Sequence, residues 1–180
     1  MTTDFPIHIC SLEAVKEMDT SIYDGIITIE DSNIENPFRL KSGETQQLIL
    51  RFDDISTPID DLMVPQDIHI ERALKFAQLI DDGSLLIHCH AGISRSSAIA
   101  LAIIAEKLGE GNEEEAVKTL EFINPNCRPN RLLVKMTDEI LERNMVLYNI
   151  VLNKVDLIEN GMLLLIIKRV NEFVKFDETF

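Results

Sequence analysis

The stretch LLIHCHAGISRSSAIALAIIA, residues 85–105, constrains the fold more than any other part of the chain. An apolar run, Leu85-Leu86-Ile87, leads into His88-Cys89-His90. A loop of small residues follows, then Arg95, then apolar residues at helical spacing. The first run is too apolar for an exposed sheet edge, and the last has no polar face. Together they predict a central strand, a tight turn and a buried helix. A strand buried on both sides belongs to a parallel sheet covered by helices.

The remaining segments fit that architecture. PIHIC reads as a short strand, followed by a helix in LEAVKEMD with Leu12, Val15 and Met18 on one face. GIITIED is a second strand, and QLILRFDD a third whose end carries two carboxylates. ISTPIDDLMVPQD is a loop. From Pro65 a helix is expected to bury Ile68, Ala73, Phe76, Leu79 and Ile80, stopping at Asp82-Gly83. SLLIHC is the fourth strand, and SRSSAIALAIIAEKLG a helix ended by Gly109. In GNEEEAVKTLEFI, Asn112 and Glu115 have capping-box spacing, and RPNRLLVKMTDEILER is a further helix. The expected fold class is α/β, a central mostly parallel sheet of about four to five strands flanked by helices. Further on, GMLLLIIKRVNEFVKF reads as a strand and a helix or as one amphipathic helix.

The loop between Cys89 and Arg95 has a specific chemistry. If His90, Ala91, Gly92, Ile93 and Ser94 cap the N-terminus of the following helix, their amides form an anion cradle supported by the helix dipole. Ala91 and Gly92 let the backbone come close to a bound phosphate. A cysteine at the floor of such a cradle is favoured as thiolate. Arg95 offers a planar fork for two phosphate oxygens, and a cation at a helix start is otherwise misplaced. These residues suit attack by Cys89 on a phosphomonoester and hydrolysis of the resulting phosphocysteine. Ser96 would donate its hydroxyl toward the sulfur as it departs. His88 would hold the loop by hydrogen bonding, and a charge on it would bias Cys89 toward thiolate.

HCHAGISRS resembles the H-C-x5-R-S signature of the cysteine-dependent protein tyrosine phosphatases, and its A-G-x-S-R-S interior is most similar to the small dual-specificity branch. CRPNRLLVKMTDEILER is similar to the closing helix of small bacterial-type members. The resemblance covers roughly residues 5 to 145. It implies a phosphatase domain over 1–148, with 149–180 a C-terminal extension docked on it. It also implies a general acid on a loop before the signature. In LILRFDDISTP that acid falls on Asp54, with Asp53 the close alternative. The implied activity is hydrolysis of phosphotyrosine, extending to phosphoserine and phosphothreonine. The chain has no Trp, hence no Trp-Pro-Asp, and no Asn-Arg-Tyr-like clamp upstream, which favours a shallower pocket. The signature loop contains no lysine, which argues against phosphoinositides. A non-catalytic phosphate-recognition module, or a phosphatase for a small-molecule or inositol phosphate, is the alternative.

A net charge of −14 excludes general affinity for nucleic acid or an anionic membrane. The expected partner is a phosphoprotein or phosphopeptide; oligomeric state is left open. Three widely spaced cysteines, Cys10, Cys89 and Cys127, and an acidic start without a signal-peptide pattern point to the cytoplasm. Cys10 and Cys127 read as core residues. No Cys-x-x-Cys pair and no G-x-x-x-x-G-K-[ST] occurs, so neither a metal nor another cofactor is expected.

Overall fold

The computed structural model describes residues 6–40, 43, 45–81 and 83–154. In chain order they form β1 (Ile7–Ser11), α1 (Leu12–Glu17), β2 (Gly25–Glu30), β3 (Gln46–Arg51), α2 (Asp67–Ile80), β4 (Leu85–Cys89), α3 (Arg95–Leu108), α4 (Glu113–Ile123) and α5 (Arg131–Ile140), with a short 3-10 turn at Thr20–Ile22. Residues 146–154 are helical as well.

The four described strands form one parallel sheet in the order β1-β4-β2-β3. This is the α/β fold expected from the sequence. Strands β2 and β4 lie side by side in its middle and are buried along their whole length. Successive side chains of a strand face opposite ways, so each strand feeds two cores. Ile27, Ile29, Leu85, Ile87 and Cys89 face the larger one, shared with the helices α2 to α5. Ile26 and Leu86 face a smaller one, closed by Val15 of α1 and Tyr23.

Helix α3 fills the centre of the larger core. Every residue from Arg95 to Ala105 is buried. Ala98, Ala100, Ala102 and Ala105 keep the backbone close to its neighbours, while Ile99, Leu101 and Ile104 supply volume. Each such large side chain contributes about 1.5–3 kcal/mol through burial. The rigid start of α3 follows from this packing, and that start carries the site.

Two local expectations fail. In α2, Ile68 and Leu79 are exposed (49% and 68%), while Ile70, Leu74 and Ala77 are buried beside Ala73, Phe76 and Ile80. Residues 70, 73, 74, 77 and 80 recur at i, i+3 and i+4 and form the buried face, and Ile68 and Leu79 fall off it. In α4 the Asn112–Glu115 capping box does not form. Asn112 has φ −112° and ψ 23°, outside the extended region an N-cap needs, and its amide donates instead to the Leu108 carbonyl at 2.9 Å. Glu113 accepts from the Gly111 amide at 3.1 Å in its place. The helical stretch 146–154 crosses the expected boundary at residue 149 and buries Leu147 and Val151 in the main core. Lys154 there pairs with Glu121 of α4 at 2.6 Å. The segment GMLLLIIKRVNEFVKF lies outside the described residues.

Candidate active site

In a parallel sheet the loops after adjacent strands emerge at the same end, and ligands gather there. Here β4 and β2 are neighbours, so the turn after Cys89 meets the residues after Glu30 and, one strand further, those after Arg51. Signature loop, Asp31 and the Asp53-Asp54 pair are thereby brought together.

The loop from His90 to Ser94 is gripped from outside by its carbonyls. The His90 carbonyl accepts from the Leu12 amide at 3.1 Å, and that of Gly92 from the Asn124 side chain at 2.9 Å. The Ile93 carbonyl accepts from the Arg128 amide at 2.9 Å, and that of Ser94 from Ala98 at 3.0 Å and Asn130 at 3.4 Å. In a trans peptide the next N–H points the opposite way from the carbonyl. Outward carbonyls at 90, 92, 93 and 94 therefore aim the amides of Ala91, Ile93, Ser94 and Arg95 inward. The Gly92 amide donates to Cys89 Sγ at 3.3 Å.

Gly92 is required for a reason beyond approach to a phosphate. Its φ is +72°, and a Cβ would sit 2.6 Å from the Cys10 carbonyl carbon and 2.7 Å from its oxygen. The loop leans on the end of β1, and only glycine fits.

Cys89 is 2% exposed, with Ser96 Oγ 3.3 Å from its sulfur. Arg95 is 3% exposed. One terminal nitrogen is held by the Phe52 carbonyl at 2.8 Å and by Asp31 at 2.6 Å, while its buried Nε has no hydrogen-bond partner. A buried guanidinium braced on one edge and unpartnered at Nε is suited to a bound oxyanion. Of the loop residues, His90, Ala91 and Ile93 have exposed side chains, so what they offer to the cradle is backbone.

The two candidate acids differ sharply. Asp53 is 6% exposed and accepts from the Ser32 amide at 3.1 Å and the Met63 amide at 2.7 Å. Burial pushes its carboxyl up, but these bonds and Arg95 outweigh it and hold the group below the ordinary carboxylate value. Asp53 thus closes the 53–63 loop as an ion. Asp54 is exposed, and its Oδ1 accepts from Ser94 Oγ at 2.7 Å and from Asn130 Nδ2 at 2.8 Å. Of the two, Asp54 is the one joined to the signature loop.

His88 sits on the other face of β4. Its Nε2 is 2.9 Å from Thr28 Oγ1, which also accepts from Gln47 at 2.8 Å, and Phe38 stacks edge-on against the ring. Burial, offset only in part by a backbone hydrogen bond at Cys89 and by Glu30, lowers its pKa to about 4. The ring is neutral near pH 7, so the expected bias of Cys89 by a charged His88 does not operate. What remains to it is hydrogen bonding that ties β4 to β2. An unfolded chain's histidine protonates near its ordinary 6.5, whereas His88 in the fold resists down to about 4. Its contribution to stability is complete above about pH 6.5 and declines as pH falls toward 4, by roughly 3 kcal/mol in full. Thermal melts of wild type and His88→Asn across this range should therefore converge toward low pH; parallel curves would contradict a neutral buried ring.

Cys10 and Cys127 are half-buried free thiols. Burial, with the nearby Cys89 charge added, pushes Cys10 up to about 11, and burial likewise raises Cys127. Sequence reasoning missed Asp31, Thr28, Asn124 and Asn130. Only Asn130 had a local signal, an N-cap residue directly before the apolar pattern of α5.

No protein-family model matches the chain. Over 64 residues it is 38% identical to dual specificity protein phosphatase 12 of Rattus norvegicus. Over 67 residues it is 30% identical to a probable dual specificity protein phosphatase of Dictyostelium discoideum. The matched segments are 34% and 37% of this chain but only 19% and 28% of those proteins. The chain therefore matches about a fifth to a quarter of the length of these relatives. Among solved structures, DUSP15 superposes with a TM-score of 0.60 at 21% identity, covering 85% of this chain and 95% of that one. Human DUSP28 gives 0.60 at 15% identity, covering 76% and 92%. The human tyrosine phosphatase-like serine/threonine/tyrosine-interacting protein gives 0.55 at 21%, covering 73% and 84%. In fold the chain is similar to these dual-specificity phosphatase structures, and over a stretch of 64 to 67 residues its sequence is similar to dual specificity protein phosphatases.

Proposed function

We propose that the chain is a phosphatase that hydrolyses phosphomonoesters on protein, phosphotyrosine and also phosphoserine or phosphothreonine, in the cytoplasm and through a phosphocysteine intermediate. The observation that carries this reading is the joint placement of Cys89 Sγ, the inward loop amides and the unpartnered Nε of Arg95 at the start of a buried helix.

The steps follow from that placement. A phosphoryl group enters the cradle, where the amides of residues 91 and 93 to 95 and the Arg95 fork take its non-bridging oxygens. The Cys89 thiolate attacks phosphorus, the P–O bond to the leaving group breaks, and Asp54 protonates the departing oxygen. Asp54 then takes a proton from water as that water attacks the phosphocysteine. Ser96 donates to the sulfur as the S–P bond breaks. Asp54 is favoured over Asp53 because Asp53 is committed, as an ion, to two amides of its own loop.

Asp54→Asn tests the acid. With phenyl phosphate, a poor leaving group, kcat should fall by about 10²-fold, in the range of general acid catalysis; with p-nitrophenyl phosphate the loss should be several-fold smaller. Equal losses on both substrates would remove Asp54 from that role, and an effect confined to Asp53→Asn would move it. Absence of wild-type turnover between about pH 5 and 7 would favour a phosphate-recognition module instead.

A further inference from the structure

The amide of Asn130 does more than begin a helix. Its Oδ1 accepts from the Leu132 and Leu133 amides, both at 3.1 Å, and so caps α5. The cap fixes which way the side-chain amide is turned, since only oxygen can serve those donors. Nδ2 is therefore committed to the opposite side, where it donates to Asp54 Oδ1 at 2.8 Å and approaches the Ile55 carbonyl at 3.4 Å. The backbone amide of the same residue reaches the Ser94 carbonyl at 3.4 Å. Asn130 is 6% exposed, while the Asp54 it holds is open to solvent.

We propose that Asn130 is a positioning residue for leaving-group protonation, holding Oδ1 of Asp54 so that the transferable proton is carried on Oδ2. The inference rests on Asp54 being the proton donor. Two donors, Asn130 Nδ2 and Ser94 Oγ, converge on Oδ1. With Oδ1 occupied as acceptor, the acid form bears its hydrogen on Oδ2. In the transfer the Oδ2–H bond breaks and a bond to the leaving oxygen forms. The carboxylate left behind keeps both donors on Oδ1, which stabilise it as the charge develops. One residue thus links acid loop, phosphate cradle and the start of α5, fixing the acid relative to the sulfur.

Capping and positioning are separable by substitution in the full chain. Asn130→Ser and Asn130→Asp both retain an oxygen suited to an N-cap, but the hydroxyl is too short to reach Asp54 and the carboxylate cannot donate. Melting temperatures should stay within about 5 °C of wild type for both. For both variants kcat with phenyl phosphate should fall by about tenfold, the size of one hydrogen bond to a charged group, and with p-nitrophenyl phosphate by less than about threefold. In an Asp54→Asn background neither variant should add a further loss. Equal losses on the two substrates, or losses that add to Asp54→Asn, would overturn the proposal and leave Asn130 a cap alone. If Asp54→Asn by itself shows no leaving-group dependence, the assignment of the acid fails, and this proposal with it.

Discussion

Cys89→Ser is expected to abolish turnover, by about 10⁴-fold or more, while the protein still folds and still binds oxyanions. The sulfur is the only reacting atom the chain contributes to covalent chemistry in this account, and a hydroxyl in its place has no neighbouring base to activate it. The groups within reach are the Gly92 amide and the Ser96 hydroxyl, 3.3 Å away each, and both serve an anion rather than remove a proton. The substitution is nearly isosteric, and the 2% exposed site is already lined by polar groups, so stability should change little. Phosphate release from p-nitrophenyl phosphate and from a phosphopeptide panel is the measurement. Turnover within about tenfold of wild type would exclude the phosphocysteine route.

Arg95→Ala should damage binding and rate together, lowering kcat/KM by about 10³- to 10⁵-fold, with KM raised and kcat reduced. Its Nε, and the edge not braced by Asp31 and the Phe52 carbonyl, are what the cradle offers to the equatorial oxygens. Removal also strips the buried Phe52 carbonyl of its donor, which costs about 1–3 kcal/mol of stability. Arg95→Lys keeps a charge but cannot brace on two acceptors and present a fork at once, so it should recover only a small part of the rate. Steady-state kinetics beside thermal melts separate the two losses. A lysine variant near wild type would show that charge alone suffices and that the braced geometry is irrelevant.

The core of the site was legible in the sequence because it is local. Strand, Cys89, loop, Arg95 and helix occupy residues 85–108 without interruption, and each dictates its own part of the geometry. The same holds for the sheet: the apolar character of β4 placed it centrally, between β1 and β2. What could not be read is what topology brings in from afar. Asp31 meets Arg95 only because β2 lies next to β4, and Asn130 meets Asp54 across 76 residues because the N-cap of α5 lies against residues 54 and 55. The charge state of His88 was misjudged for a related reason. Its burial depends on Phe38 and Thr28, neither of which its own segment announces. The choice between Asp53 and Asp54 became physical only once Ser32 and Met63 were seen to claim the first of them.

The central claim is that a sulfur anion lies under a ring of inward amides with a guanidinium at its edge. Its most direct test is a crystal of the protein soaked in tungstate. The account predicts one oxyanion centred over Cys89 Sγ, taking the amides of residues 91 and 93 to 95 and two nitrogens of Arg95. Tungstate absent from that position, with the loop carbonyls turned inward in place of the amides, would contradict it.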